Sequence, residues 1–352
     1  VLSWLHIGDL HFVRDGDANV CDLRRIVMRV MALGAGGVDF VLLPGDNADD
    51  GTDEQFALVR ELIAPLTATV HILPGDHDNA HGDLRAFYET LGARRLPYAE
   101  TIDGVRCVFL DQVSAGSGGL DFRMDTTQLD WLDERVTAAE RVAVFMHTYP
   151  ADLNEGGDRL RAMLGREHVL AVDMGHTHYN ELANDGGTIF MATRSTGQVE
   201  EGPVGSSIAA IDGSSVSWRF KAVEDAWPFV LITSPADRRL SFGPPTGDRL
   251  RARVIGDVPI VSVECHGGDA WHAMTATGDP AVWEAEMPEN GTVVRVRATD
   301  ARGRTDEDRI ETGHDASIVR AADGSDRDAV GAWPEKGILG TQLGPNRNGR
   351  AW

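Results

Sequence analysis

Long apolar runs are absent from this sequence. No stretch approaches the ~18 residues that a membrane span needs, and the longest in the middle of the chain is Val142-Ala143-Val144-Phe145-Met146. Cysteine is scarce. Cys21, Cys107 and Cys265 stand far apart, odd in number and without a CxxC pair, which argues against a thiolate zinc site. Three lone cysteines fit a reducing compartment, and a cytoplasmic location is the expectation. A basic leader is missing too: Val1-Leu2-Ser3-Trp4-Leu5 reads as a strand, not as a signal peptide. Positive charge is under-represented. Lys and Arg total 33 against 55 Asp and Glu, for a formal net charge of −22. Such a surface repels phosphate backbones and argues against nonspecific nucleic-acid or anionic-membrane binding. Its simplest meaning is solubility.

What is present is an ordinary globular composition, 42% hydrophobic and 25% charged over 352 residues. That excludes a disordered, collagen-like or coiled-coil protein and leaves chain for about two domains. The first 220 residues alternate short apolar strands with amphipathic helices. Strand-like runs are Leu2–Ile7, Phe40–Leu43, Val70–Leu73, Val105–Leu110, Val142–Met146 and Val169–Val172. Leu23, Ile26, Val27, Val30 and Met31 share one helical face, as do Phe56, Val59, Leu62 and Ile63. This repetition predicts an α/β layered fold. Asp185-Gly186-Gly187 and Asp212-Gly213 then signal hairpins between runs such as Thr188–Ala192 and Val216–Phe220.

From Pro228 the helical pattern ends. Phe229–Ile232, Leu250–Ile255, Ile260–Glu264 and Val293–Ala298 are strand-like, and turns are signalled at Pro244-Pro245, Gly267-Gly268, Glu289-Asn290-Gly291 and Asp300–Gly303. About 85 residues of this kind predict a small all-β sandwich. The boundaries read as 1–224, 228–313 and a Gly-, Asp- and Asn-rich tail, 314–352, that either drapes over the body or stays mobile.

Five short motifs follow predicted strands: Asp9-Leu10-His11, Gly45-Asp46, Gly75-Asp76-His77-Asp78, His147 and Gly175-His176-Thr177-His178. In open α/β sheets ligands bind beyond the carboxyl ends of strands, so the five sets should converge. Two residues apart in extended chain, Asp9 and His11 share a face, as do His176 and His178. Carboxylate oxygen with imidazole nitrogen suits Mn, Fe, Zn or Ni better than Ca. A single Asp or His at a strand end is more often a helix cap or a satisfied polar group. Five motifs that hold five of the 12 histidines are not explained that way.

The order Asp-x-His, Gly-Asp, Gly-x-His-Asp, His, Gly-His-x-His resembles that of the calcineurin-like metallophosphoesterases, over about residues 1–223. Gly119-Leu120 followed by Gln128-Leu129-x-Trp131-Leu132, and His147-Thr148-Tyr149-Pro150, are similar too. The likeness looks closest to bacterial cyclic-nucleotide and glycerophosphodiester hydrolases. It implies a four-layer αββα metallophosphoesterase sandwich and two divalent or transition ions, Mn, Fe or Zn. Asp9, His11, Asp46 and His178 would hold one ion, and Asp46, Asp76, His147 and His176 the other, with Asp46 bridging. Ions ~3.5–4 Å apart polarise phosphoryl oxygens and make a hydroxide available for in-line attack. His77 would be the catalytic acid beside the ions, with Asp78 fixing its tautomer.

One position departs from the family, which usually has Asn where this chain has Asp76. A carboxylate there adds negative charge, binds the second ion more tightly and repels a dianionic monoester most. A natural variant favouring diesters, an engineered substitution and a weakened catalyst all fit, and the first is preferred. The expected activity is therefore a phosphodiesterase acting on a small phosphoester. A phosphomonoesterase and a metal-binding scaffold with weakened catalysis are the alternatives.

Asn47 and Asp49 are candidates to bond ligands or substrate, or else form a loop turn. Arg194 is a candidate substrate contact, with a surface salt bridge equally consistent. His6 reads as a core histidine. Residues 228–313 resemble an immunoglobulin-like or fibronectin-like sandwich. It would serve as a spacer, an oligomer contact or a wall of the cleft, so homo-oligomerisation stays open. The stretch Gly340–Arg350 is long enough to reach the cleft.

Overall fold

The computed structural model describes residues 1–33, 37–243, 248–268, 270–288, 292–313 and 326–339. The turns expected at Pro244-Pro245 and Glu289-Asn290-Gly291, and the stretch Gly340–Arg350, lie outside the described residues.

The first half alternates as the periodicity demands. The order is β1 (Leu2–His6), α1 (Ala18–Met31), β2 (Phe40–Leu43), α2 (Asp53–Ile63) and β3 (Thr69–Ile72). It continues through β4 (Tyr98–Ile102), β5 (Val105–Phe109), α3 (Thr126–Thr137), β6 (Val142–Phe145), α4 (Gly157–Leu164) and β7 (Val169–Met174). Two hairpins close it: β8 (Glu181–Asn184) with β9 (Ile189–Ala192), the latter parallel to β7, and β10 (Gly205–Asp212) with β11 (Ser215–Ala222). Helix starts are chemically marked. The Thr52 hydroxyl accepts from Gln55 N ahead of Asp53 and Glu54, and the Asp125 carboxylate accepts from Gln128 N.

Two sheets form, in the orders β11-β10-β1-β2-β3 and β4-β5-β6-β7-β9-β8. The period of two along each strand builds the layers. Val41 and Leu43 face α1 and α2 with Leu23, Ile26, Phe56 and Val59. Phe40 and Leu42 face inward with Trp4, Phe109, Phe145 and Trp218 between the sheets. Val108, Val144 and Val172 of the second sheet pack against Leu129, Leu132 and Leu160 of α3 and α4. This is a four-layer αββα arrangement. His6 is indeed internal: its Nδ1 lies 2.8 Å from Asp173 Oδ1, while Trp4 Nε1 donates to Asp173 Oδ2 at 2.6 Å. One buried carboxylate on β7 thus pins β1 across the sheet-to-sheet gap.

The C-terminal half is all-β. Its strands are β12 (Phe229–Ser234), β13 (Arg249–Ile255), β14 (Ile260–His266), β15 (Trp271–Ala273), β16 (Thr275–Ala276), β17 (Val282–Glu286), β18 (Val293–Asp300) and β19 (Thr305–Glu311). They pair as β12-β13-β17-β16 and β15-β14-β18-β19, all antiparallel. Val230, Ile232, Val254, Val263, Val294 and Val296 fill the space between the sheets. The other face of β12 sends Phe229 and Leu231 into the α1–α2 core. One strand therefore serves two cores. Arg219 of β11 adds a two-pronged bond to Asp306 of β19, at 2.6 and 3.0 Å.

Residues 326–339 return to the α/β body. Ala329 pairs with Ala183 of β8, and Trp333 and Ile338 are buried among the residues between the two α/β sheets. Of the two expectations for the tail, this portion drapes.

Candidate metal centre

Each metal-type side chain sits just past a strand. Asp9 and His11 follow β1, Asp46 follows β2, Asp76 follows β3, His147 follows β6, and His176 and His178 follow β7. To aim inward the chain turns sharply. Only five described non-glycine residues have positive φ, and four of them are His11 (46°), Asp46 (50°), His176 (65°) and His178 (64°). Backbone held in this region by L-residues stores strain that the surrounding fold must hold. Glycine is required where backbone passes the cluster. A Cβ on Gly45 would lie 2.2 Å from His147 Nδ1, and one on Gly75 would lie 2.1 Å from Asp46 Oδ1.

The seven residues fall into two adjoining groups, Asp46–Asp76–His147–His176 and Asp9–His11–His178, in each of which the ligand atoms lie within 4.8 Å of one another. His147 Nε2 is 3.2 Å from Asp76 Oδ1, and His176 Nδ1 is 3.3 Å from the same oxygen. His178 Nε2 lies 3.7 Å from Asp9 Oδ2 and 3.0 Å from His11 Nε2. Asp46 Oδ2 stands 3.6 Å from both His11 Nε2 and His147 Nε2. That carboxylate lies between the groups, where a bridging ligand belongs.

The tautomers suit metal ligation. His147 Nδ1 faces the Pro44 carbonyl at 3.0 Å; a carbonyl only accepts, so Nδ1 carries the proton and Nε2 keeps its lone pair for the cluster. His11 Nδ1 lies 3.2 Å from Asp49 Oδ1, which likewise leaves Nε2 facing inward. Asp9 Oδ1 is buried without a hydrogen-bond partner, and a buried carboxylate oxygen demands one. A cation would satisfy it. The donor set, the orphaned oxygen and the close-fitting glycines together fit bound metal ions.

Electrostatics divide the set: His11 and His178 are held neutral, whereas the surrounding carboxylates favour a proton on His147 that a bound cation would displace. Burial, reinforced by the nearby His178 and His77, lowers the His11 imidazole to about 2, and burial lowers His178. Both are held neutral, as ligands must be. Burial also opposes a charge on His147, but the Asp46, Asp76 and Asp9 carboxylates outweigh it and raise it to about 10. Asp46 is pushed well up, by burial and by the neighbouring Asp76 and Asp9.

The residues around the cluster differ from expectation in three places. Asp78 does not orient His77. Its carboxylate accepts from Gly75 N, Ala48 N, Asn47 N and Asn47 Nδ2 at 2.8–3.2 Å, so it holds the loops together. The His77 ring instead places Nδ1 2.7 Å from the Asp49 carbonyl oxygen, leaving Nε2 free. The second difference is Asn47, which is fully buried and donates its amide N–H groups to Asp78 and the Leu73 carbonyl, so it ties the loops together. The third is Arg194. It is 1% exposed and its guanidinium donates to the Glu201, Pro203 and Gly337 carbonyls, so it is neither a substrate contact nor a surface ion pair.

His77 itself fits a role at the mouth. Its side chain is 36% exposed, against near-complete burial for the ligand set, and its ring centroid lies 4.6 Å from that of His11. Sequence reasoning missed Phe122, whose ring meets His176 edge-on at 5.2 Å and forms one wall. A lone Phe in a loop carries no signal of that placement.

Fold and cluster together define a scaffold that gathers Asp and His ligands at strand ends to hold metal. The chain belongs to the calcineurin-like phosphoesterase family, whose pattern matches residues 2–180. A probable glycerophosphodiester phosphodiesterase of Arcobacter nitrofigilis is 30% identical over 158 residues, 40% of this chain and 56% of that one. A probable cyclic nucleotide phosphodiesterase of Synechococcus sp. is 26% identical over 216 residues, 55% and 80% of the two chains. The chain thus spans little more than half the length of the first relative. Purple acid phosphatase from yellow lupin shares the fold, with a TM-score of 0.50 at 13% identity, over 64% of this chain and 52% of that one.

Proposed function

We propose that the protein is a metal-dependent phosphodiesterase acting on a small phosphoester. The observation that carries this reading is the convergence of Asp9, His11, Asp46, Asp76, His147, His176 and His178 on adjoining groups, with His77 at their exposed edge. Bound ions would polarise the phosphoryl oxygens and supply a nucleophile near neutral pH. Asp9, His11 and His178 would hold one ion, Asp76, His147 and His176 the other, and Asp46 would serve both. His77, charged, would keep Nδ1–H on the Asp49 carbonyl and present Nε2–H to the leaving oxygen. The ligand side chains are buried or nearly so, and His77 is the most exposed of the set. The glycerophosphodiester and cyclic-nucleotide relatives favour a diester.

Charge favours it as well. Asp9, Asp46, Asp76 and Asp49 surround the centre, and the one arginine expected to offset them is turned away. A monoanionic diester meets less repulsion than a dianionic monoester. After reconstitution with manganese, bis(p-nitrophenyl) phosphate should turn over faster than p-nitrophenyl phosphate. Faster monoester turnover would reverse the assignment, and no turnover of either would favour a metal-binding scaffold. The Asp76→Asn variant should bind metal more weakly and shift the diester-to-monoester ratio towards the monoester. An unchanged ratio would remove the charge argument.

The β12–β19 unit reads as an immunoglobulin-like sandwich over 228–313, following a catalytic unit over 1–224. In support, its eight strands in chain order fall as first-second-sixth-fifth and fourth-third-seventh-eighth, close to the pattern of that fold. The cytoplasm is the proposed compartment, supported by three free cysteines.

A further inference from the structure

Arg194 and Asn180 explain why residues 326–339 return to the α/β body. Asn180 lies two residues past the ligand His178, and Arg194 opens the loop that carries Ser195 and Gln198. The Arg194 backbone N–H donates to Asn180 Oδ1 at 2.8 Å. Its guanidinium reaches the Glu201 and Pro203 carbonyls at 3.2 Å each and the Gly337 carbonyl at 2.6 Å. Asn180 Nδ2 donates to the same Gly337 carbonyl at 2.8 Å. Two side chains from two loops therefore grip one carbonyl of the C-terminal segment.

Both loops bear on the cluster. Ser195 Oγ donates to the Asp9 carbonyl at 2.8 Å, and Gln198 Nε2 lies 3.2 Å from His11 Nδ1. The Ser195 N–H points at the His178 carbonyl. At the other end, Lys336 is buried against Asp308 of β19 at 2.5 Å, and Arg239 covers the Trp333 ring at 4.2 Å. Gly337 has φ of 92° and no space for a Cβ, which would lie 2.7 Å from Phe220 Cβ. The grip is therefore a fixed fit and not a loose crossing.

We propose that residues 326–339 act as a strap that positions the Asp9–His11–His178 half of the metal centre and ties it to the β-sandwich, with Arg194 and Asn180 as its positioning residues. The inference rests on the metal-centre reading above. Arg194 is suited to this by its planar fork, which reaches two carbonyls of its own loop and one of the strap at once; a lysine point charge cannot. Support of this kind around ligands typically governs metal affinity by about 10–100-fold.

The test is calorimetric titration of the full chain with Mn²⁺, beside its thermal denaturation without metal. Wild type should bind in two phases. Arg194→Lys should weaken one phase about tenfold and spare the other. Lys336→Met, which cuts the strap at the sandwich and touches no loop of the cluster, should weaken the same phase. Unchanged affinities in both variants would overturn the strap alone. So would equal weakening of both phases in proportion to lost thermal stability, which is what a merely structural role gives. If Arg194→Lys fails to fold, Lys336→Met decides by the same criteria. Wild type binding no Mn²⁺ would overturn the metal-centre reading and the strap with it.

Discussion

At the scale of single residues, neighbours in the sequence have separate tasks. His77 and Asp78 adjoin, yet the His77 ring leans on the Asp49 carbonyl while the Asp78 carboxylate gathers four donors from two loops. The two should fail differently. His77→Ala should lower kcat on a diester by about 10²-fold, the loss expected for a general acid, with bound metal and melting temperature near wild type. Asp78→Ala leaves four donors without their acceptor and should cost about 3 kcal/mol or more of stability in denaturant unfolding. If His77→Ala instead sheds its metal, the acid assignment falls and His77 joins the ligands, as its grouping with His11 and Asp49 would allow.

At the scale of elements, β3 carries a pH-dependent weakness. His71 is buried beneath Phe109, with Nδ1 2.8 Å from the Tyr98 hydroxyl. Burial lowers its imidazole to about 4, against the pull of Glu100. The unfolded chain takes up this proton near pH 6.5 and the folded chain only near pH 4, so stability is lost as pH falls through that window. The size is about 2–3 kcal/mol. Urea unfolding of the metal-loaded protein at pH 7 and pH 4.5 should show a smaller difference in His71→Gln than in wild type; equal differences would clear His71.

Much of this level was legible beforehand. The period of two in Phe40–Leu43, the helical stripes of α1 and α2, and the Asp and His after five strands are local patterns, and topology alone brings them together. The places where the reading failed depend on contacts distant in sequence. Arg194 looked like an anion-binding residue because nothing near it shows that its acceptor is Gly337, 143 residues away. Asp78 looked like the partner of His77 because adjacency suggested it. In fact the orienting group comes from the loop after β2, 28 residues back.

For the whole molecule, the net charge of −22 has a kinetic consequence. The substrate proposed is an anion, and the seven ligand residues attract it only through the ions they hold. At low ionic strength the Debye length is about 30 Å, so an approaching diester meets the acidic surface before it meets the centre. At 0.15 M the length is about 8 Å, and distant carboxylates are screened while the buried centre is not. Salt should therefore raise kcat/KM for a monoanionic diester, by about two- to fivefold between 10 and 150 mM, and leave kcat nearly unchanged. The opposite trend, kcat/KM falling with salt, would mean that the centre's own positive field extends beyond the cleft and outweighs the surface. In that case Asp76 and its neighbours would not select against dianions either, because such selection requires carboxylates that leave little excess positive charge.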